Sequence, residues 1–216
     1  MRRQLADYSI FLKEFRRTFR TTGAVLPSGR ALANALASQI GRAAGGLRIL
    51  EVGPGTGAVT AAILRRLAPG DRLDLVELND QFVSRLQQRF AEDPAFRPFA
   101  NRTRVLHQGI EESLGATPYD VIVSGLPLNN FAVAEVEQIL ARLVALLRPG
   151  GHLSFFEYIA IRRVKAVCSR ASERERLRGI GRALDALFAA HTARRQRVWI
   201  NVPPAWVHHL QIAGGS

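Results

Sequence analysis

The sequence predicts an α/β fold, a mostly parallel sheet with helices on both faces and one antiparallel strand at its end. Three observations lead there. From Leu47 to about Phe156, short apolar runs alternate with helical stretches, the pattern of strands buried on both faces by crossover helices. The first run leads directly into "GPGTG", Gly53 to Gly57, and then into a helical stretch. The C-terminal "ARRQRVWINVPPAWVHHLQI" divides around Pro203-Pro204 into two strands, and a tight hairpin can join only antiparallel strands.

The elements follow in chain order. Residues 3–20, "RQLADYSIFLKEFRRTFR", form an amphipathic helix. Leu5, Tyr8, Phe11, Leu12, Phe15 and Phe19 share an arc of roughly 120° at helical spacing, and Arg2, Lys13, Arg16, Arg17 and Arg20 occupy the neighbouring arc. Strands are expected at Leu47–Val52, Leu73–Leu78, Val105–His107, Val121–Ser124 and Leu153–Phe156. The clearest helix is Val133–Leu147, with Val133, Val136, Ile139, Leu140, Leu143 and Leu147 on one side. It should stop at "RPGG", Arg148 to Gly151, since glycine and proline terminate helices. An arginine-dense helical segment spans Ile161 to Ala190, and strands at Arg194–Asn201 and Ala205–Gln211 complete the sheet.

Composition narrows the partners. Thirty basic against 18 acidic residues give +12, nearly all of it from arginine. Such a surplus points to an anionic partner, either nucleic acid or a membrane surface. A single cysteine, Cys168, permits no internal disulfide. No apolar run approaches the ~20 residues that span a bilayer, and the apolar run after Arg2 and Arg3 is too short for a signal peptide. A cytoplasmic monomer is expected. The five histidines show no metal-ligand spacing, no metal is expected, and His208-His209 read as structural side chains on opposite faces of a strand.

The glycine turn carries the chemistry. A strand, G-x-G-x-G and a helix place backbone N–H groups and a helix N-terminus beside a ligand. Glu51 lies two residues before Gly53, and Glu77 closes the next strand, where a carboxylate can accept from ribose hydroxyls. A dinucleotide site with Ala58 as its third small residue is the rival reading, but it has no use for Glu51.

These residues resemble motif I, E/D-x-G-x-G-x-G, and motif II of class I S-adenosylmethionine-dependent methyltransferases. The resemblance covers nearly the whole chain from Leu47 onward. It implies a Rossmann-like sheet of seven strands with the last antiparallel. It also implies a cofactor, S-adenosylmethionine, held by Ser28, Glu51, Gly53, Gly55, Thr56, Gly57, Glu77, Leu78, Gln108, Gly109, Ile110 and Ser124. In the family the acid at the Glu51 position lies near the cofactor's ammonium group, and the acid at the Glu77 position takes the ribose diol. Many members carry an acid after the third strand for the adenine amino group. Here Gln108-Gly109 stand there, with Gln108, or Glu111 reaching back, as substitutes and Ile110 against the adenine face. The implied organisation is a helix and cofactor lid over residues 1–45, then a single methyltransferase domain over 46–216.

The segment after the fourth strand points to the substrate. It reads "SGLPLNNF", Ser124 to Phe131. Enzymes that methylate adenine or RNA amines carry Asn/Asp-Pro/Leu-Pro-Tyr/Phe here, a hydrogen-bonding side chain plus a ring that stacks on the base. Gly125, Leu126, Pro127 and Leu128 provide neither. "VSGLPL" and "TGAVLPSGRALA", Thr22 to Ala33, resemble bacterial phospholipid N-methyltransferases, with ornithine-lipid enzymes as close cousins. That resemblance implies successive methylation of an aminolipid at an anionic membrane surface, on the inner face of the cell membrane. Tyr8, Ser124 and Leu126 are the candidate catalytic residues, with the Ser124 hydroxyl and the carbonyls around Leu126 accepting from the amine. Tyr8, Phe131 and Tyr158 are candidate rings for the growing ammonium.

The aromatic and basic faces of residues 3–20 have the pattern of an interfacial helix. A second basic cluster from Arg162 to Arg182 could fork onto lipid phosphate. It could equally serve RNA, which keeps an RNA adenine or small-molecule methyltransferase as the alternative. A cofactor-binding regulatory module without turnover is the third class.

Overall fold

The computed structural model describes residues 29–41, 46–112, 117–159, 171–201 and 203–213. The expected helix at 3–20, with Tyr8, lies outside them, as do Ser28 and the arginine-rich stretch up to Arg170.

Seven strands form one sheet: β1 Arg48–Val52, β2 Arg72–Glu77, β3 Thr103–His107, β4 Tyr119–Ser124, β5 Leu147–Tyr158, β6 Thr192–Val198 and β7 Ala205–Gln211. Their order is β3-β2-β1-β4-β5-β7-β6. β1 to β5 pair in parallel, and β7 runs antiparallel to both β5 and β6. The helices are α1 Arg30–Leu36, α2 Ala58–Leu64, α3 Asp80–Glu92, α4 Val133–Ala145 and α5 Ala171–Ala190.

Alternation along the strands divides the apolar side chains between two faces. Ile49, Leu73, Leu75 and Val123 meet Leu36 of α1, Ile63 of α2 and Leu86 of α3. On the other face Leu50, Ile122 and Leu153 meet Leu140 and Leu143 of α4 and Leu184 of α5. Burial at ~1.5–3 kcal/mol for each large side chain makes the two-sided cover the main stabilising term. Asn79 caps α3, accepting from the amides of Gln81 at 3.1 Å and Phe82 at 3.2 Å.

Several expected boundaries move, and two of the shifts have a visible cause. The "RPGG" segment does not separate α4 from β5; it is the start of β5, with Gly150 at φ +75°. The pairing register shifts there, from Tyr119 opposite Leu147 to Val121 opposite His152. The irregular backbone is satisfied from far along the chain. Gly150 N donates to the Ile212 carbonyl at 3.0 Å, and Ile212 N to that of Gly151 at 2.9 Å. At the C-terminal hairpin, β6 ends at Val198, three residues before the expected Asn201. Pro203 and Pro204 have no N–H for the ladder, so the chain leaves the sheet early and Trp199 and Ile200 form the turn.

His208 and His209 alternate across β7 as expected. His208 packs against the rings of both Phe155 and Phe188, at centroid distances of 5.1 and 4.9 Å. His209 Nδ1 stands 2.8 Å from Ser154 Oγ on the opposite face.

The amino ends of the strands are tied by a buried acid. Asp74 accepts from Arg104 Nε at 2.7 Å and Nη2 at 2.6 Å and from the Tyr119 hydroxyl at 2.8 Å, with Arg48 at 3.8 Å. Burial pushes this carboxyl up, but the hydrogen bonds of Arg104 and Tyr119 and the two guanidinium charges outweigh it and hold it below the usual range. Its contribution is therefore present at neutral pH and lost as pH falls through the folded-state value. Tyr119→Phe should lower stability by about 1.5–3 kcal/mol, the worth of a hydrogen bond to a charged group. Urea unfolding at neutral pH measures this loss, and the difference from wild type should shrink once Asp74 is protonated in acid.

Candidate active site

The strand order reverses between β1 and β4. In open α/β sheets a ligand crevice forms at that point, outside the carboxyl ends of the strands. Gly53 follows β1 and Gly125 follows β4. Gly53 N donates to the Val76 carbonyl at 2.9 Å and Gly125 N to that of Val52 at 2.8 Å. A Cβ on Gly125 would stand 2.6 Å from the Gly53 oxygen, so the two turns pack backbone to backbone. Gly53 and Gly57, at φ +70° and +83°, take the left-handed conformation that favours glycine.

Glu51, at 0% exposure, is the most buried carboxylate of the site. Neither of its oxygens makes a hydrogen bond of good geometry among the described residues, although the Thr60 hydroxyl and amide lie beside it. Burial pushes the Glu51 carboxyl up to about 8, the nearby Thr60 hydroxyl draws it partly back, and the charge of Glu77 adds to the rise. An orphaned acid inside a protein is costly, and a cation would relieve it.

Glu77 is buried at the end of β2. Its Oε2 accepts from Gly55 N at 3.0 Å and its Oε1 from Asn79 N at 2.9 Å. Burial raises its pKa, and the amides of Asn79, Gly55 and Leu78 oppose the rise. Each oxygen keeps a lone pair for a further donor. Glu77 thus holds the glycine turn over the sheet edge while facing the same crevice.

The remaining expected positions gather at this edge. Thr56 lies between Gly55 and Gly57, and Leu78 follows β2 with His107 Nε2 3.1 Å from its carbonyl. Gln108 N donates to the Glu77 carbonyl at 3.2 Å. The Glu111 carboxylate occupies the space a Cβ at Gly109 would need. Ile110 is buried with Leu126 and Leu128. Ser124 is fully buried, and its Oγ accepts from Leu126 N at 3.3 Å. The Leu126 carbonyl accepts from Leu128 N at 3.0 Å. Phe131 and Tyr158, the rings considered for an ammonium, are core residues at 2% and 8% exposure.

Two side chains that sequence reasoning passed over, Arg89 and Asn129, shape the site, and so does Arg176, which the sequence placed in the basic cluster expected to meet phosphate. Arg89 of α3 donates to the carbonyls of Thr56 at 3.0 Å and Gly57 at 3.3 Å, stacks 3.7 Å over Phe96 and pairs with Asp93 at 2.9 Å. It braces the back of the glycine turn. Arg176 of α5 donates to the carbonyls of Phe131 and, at 2.9 Å, Asn129, while Glu173 holds its other edge at 2.7 Å. It fixes the loop after β4. In that loop Asn129 is 6% exposed and its Oδ1 has no partner among the described residues. The i,i+3 spacing of Glu173 and Arg176 was a legible signal; the placement of Asn129 had none.

Residues 50–153 match a family described as a methyltransferase domain. An ornithine lipid N-methyltransferase from Singulisphaera acidiphila is 34% identical over 104 residues, 48% of this chain and 53% of that protein. The ribosomal RNA small subunit methyltransferase A of Burkholderia pseudomallei is 48% identical over 85 residues, 39% of this chain and 30% of that protein. The chain thus spans about half the length, or less, of these curated relatives. Among solved structures, the O-methyltransferase TomG from Streptomyces achromogenes, in complex with SAM, is similar with a TM-score of 0.64 over 94% of this chain and 90% of that one. At 18% identity that likeness is one of fold.

The Glu51 carboxyl sets a pH dependence. An unfolded chain ionises it at the ordinary carboxylate value, whereas the folded protein keeps its proton up to about 8. Between those limits the folded state binds more protons, so stability falls as pH rises. Glu51→Gln should flatten that decline, leaving the smaller share from Glu77. Chemical unfolding midpoints of both proteins from mildly acidic pH to about 8 test it; parallel curves would mean that Glu51 ionises freely in the fold.

Proposed function

We propose that this chain, which carries a methyltransferase domain of the S-adenosylmethionine-dependent class, methylates the head-group amine of a membrane aminolipid, phosphatidylethanolamine or an ornithine lipid, in successive steps. The observation that carries this reading is the loop after β4. It offers an unpartnered amide oxygen at Asn129. At Leu128, where a base-binding site needs a ring, it has a buried aliphatic side chain. The similarity to an ornithine lipid N-methyltransferase supports the same substrate class.

The residues present fit the cofactor. Glu51, buried and orphaned, suits its ammonium group, and Glu77 retains lone pairs for the ribose diol. Gly53, Gly55, Thr56 and Gly57 would pass their backbone beside it, with Leu78, Gln108, Gly109 and Ile110 around the adenine. When bound, S-adenosylmethionine supplies a methyl group already activated on a sulfonium, so the protein needs no nucleophile of its own.

The chain must position the amine and favour its neutral form, the proton being released to solvent before the methyl transfer. A primary amine ionises near ~10 in water, as lysine does, and the apolar walls of Leu126 and Leu128 lower that value by desolvation. Ser124 Oγ and the Leu126 carbonyl each already accept one backbone hydrogen bond. Asn129 Oδ1 accepts none from the described residues and is therefore the preferred acceptor for an amine N–H. Tyr8 keeps its proposed role as a ring beside the ammonium.

A specific observation favours a second reading. The 85-residue stretch at 48% identity belongs to a ribosomal RNA methyltransferase, and the arginines suit RNA phosphate.

Incubation with labelled cofactor separates the two. Aminolipid vesicles should take up label and ribosomal RNA should not; the reverse would install the second reading. Asn129→Ala should lower lipid methylation about 10- to 100-fold, the loss of one positioning hydrogen bond, with cofactor affinity unchanged by calorimetry. Glu77→Ala should instead weaken cofactor binding by about tenfold to a few hundredfold.

A further inference from the structure

Among the described residues, Trp199 and Ile200 are the large apolar side chains left in solvent, at 61% and 90% exposure. They form the tip of the β6–β7 hairpin. Behind them β6 is the open edge of the sheet, and six of its seven residues are exposed. Arg195 and Arg197 stack on the Trp206 indole at 4.1 and 4.6 Å, and Arg197 lies 5.8 Å from the Trp199 ring. Arg194 projects from the other face of the strand. None of the three has an acidic partner among the described residues.

Charge on an open edge has an ordinary purpose, since it prevents edge-to-edge pairing of sheets. Trp199 and Ile200 do the opposite, exposing apolar area at the most prominent point of the hairpin. An indole at a tip with guanidinium groups behind it suits the boundary between acyl chains and phosphates. RNA would use the arginines and could stack on the indole, but an aliphatic side chain offers it nothing.

The position of the tip matters as much as its composition. β7 is antiparallel to β5 and to β6, so β6 runs parallel to β1 and ends at the same sheet edge as the glycine turn. Asn201, one residue past Ile200, accepts from Gly29 N at 2.9 Å at the start of α1. The hairpin tip and the crevice therefore share one rim.

We infer that the β6–β7 hairpin is a membrane-docking element: Trp199 and Ile200 enter the interfacial layer of an anionic bilayer while Arg194, Arg195 and Arg197 meet its phosphates. This deepens the aminolipid reading and rests on it for the substrate awaiting the crevice, though docking itself can be measured without turnover. The guanidinium groups stacked on Trp206 are held in place before contact, so little side-chain entropy is lost when they bind.

The test is flotation of the full chain with vesicles of phosphatidylcholine and phosphatidylglycerol, at low and high salt. The doubly changed W199S/I200S protein should lose about tenfold or more in partitioning, with an unchanged thermal melt and unchanged S-adenosylmethionine affinity. In W206F, Trp199 is the remaining tryptophan; its emission should shift to the blue on vesicles and be quenched by brominated acyl chains. Equal flotation of W199S/I200S and wild type, or an unshifted emission, overturns the proposal. So does a variant that loses affinity for single-stranded RNA but not for vesicles. If Trp199 and Ile200 prove necessary for vesicle binding while aminolipid stays unlabelled, docking stands and the substrate reading falls. If detergent-dispersed aminolipid is labelled but flotation ignores the two changes, the substrate reading stands and docking falls.

Discussion

Two glycines from distant parts of the chain meet at the middle of the sheet's carboxyl edge, and the rest of the site is built around that contact. The space between the Gly53 oxygen and the Gly125 backbone is too small for a single Cβ. Because β1 and β4 pair in register up to Val52 and Ser124, the turns after them leave the sheet side by side. Their closeness gives the crevice a floor of backbone. Side chains that matter chemically can then approach from its flanks: Glu51 and Glu77 on one side, the Leu126–Asn129 loop on the other. A larger residue at Gly125 would force the turns apart and displace both flanks together, whereas one at Gly53, already at positive φ, would press on the Leu126 side chain.

Two buried carboxylates share that floor, and they are stabilised differently. Glu77 is satisfied by the amides of Gly55 and Asn79, so it holds the turn in shape with no ligand's help. Glu51 has no partner among the described residues, and burial favours its neutral form. The fold sustains that unfavourable group, a carboxyl with both oxygens buried. This is the pattern expected where stability is given up for binding. A cationic group arriving at Glu51 recovers what desolvation took away.

The arginine surplus is equally uneven. Arg89, Arg104, Arg142 and Arg176 spend their donors inside the molecule, bracing the glycine turn, Asp74, the loop after β3 and the loop after β4. Net charge therefore overstates the charge offered to a partner. On β6, Arg194, Arg195 and Arg197 are exposed with no acid among the described residues to neutralise them, and the exposed apolar tip adjoins them. Charge and apolar surface coincide at the rim where the crevice opens, which links recognition to orientation.

Much of the fold was readable from local pattern. The apolar strands, the 3.6-residue period of α4, the glycine turn and the acids at the ends of β1 and β2 are all set by short-range rules: side-chain periodicity, the φ range open to glycine, and capping. The antiparallel end of the sheet followed from one tight turn. Tertiary structure decided what depends on distant partners. "RPGG" became part of a strand because Ile212, some sixty residues on, supplies its hydrogen bonds. Trp199 and Ile200 read as strand residues, but the prolines after them forced the chain out of the ladder. Asn129 acquires meaning from burial without a partner, and Arg89 and Arg176 from carbonyls that packing brings to them. Sequence by itself determined which backbone conformations and faces are favoured locally; which polar groups end up satisfied, and which apolar ones stay in water, is a property of non-local packing.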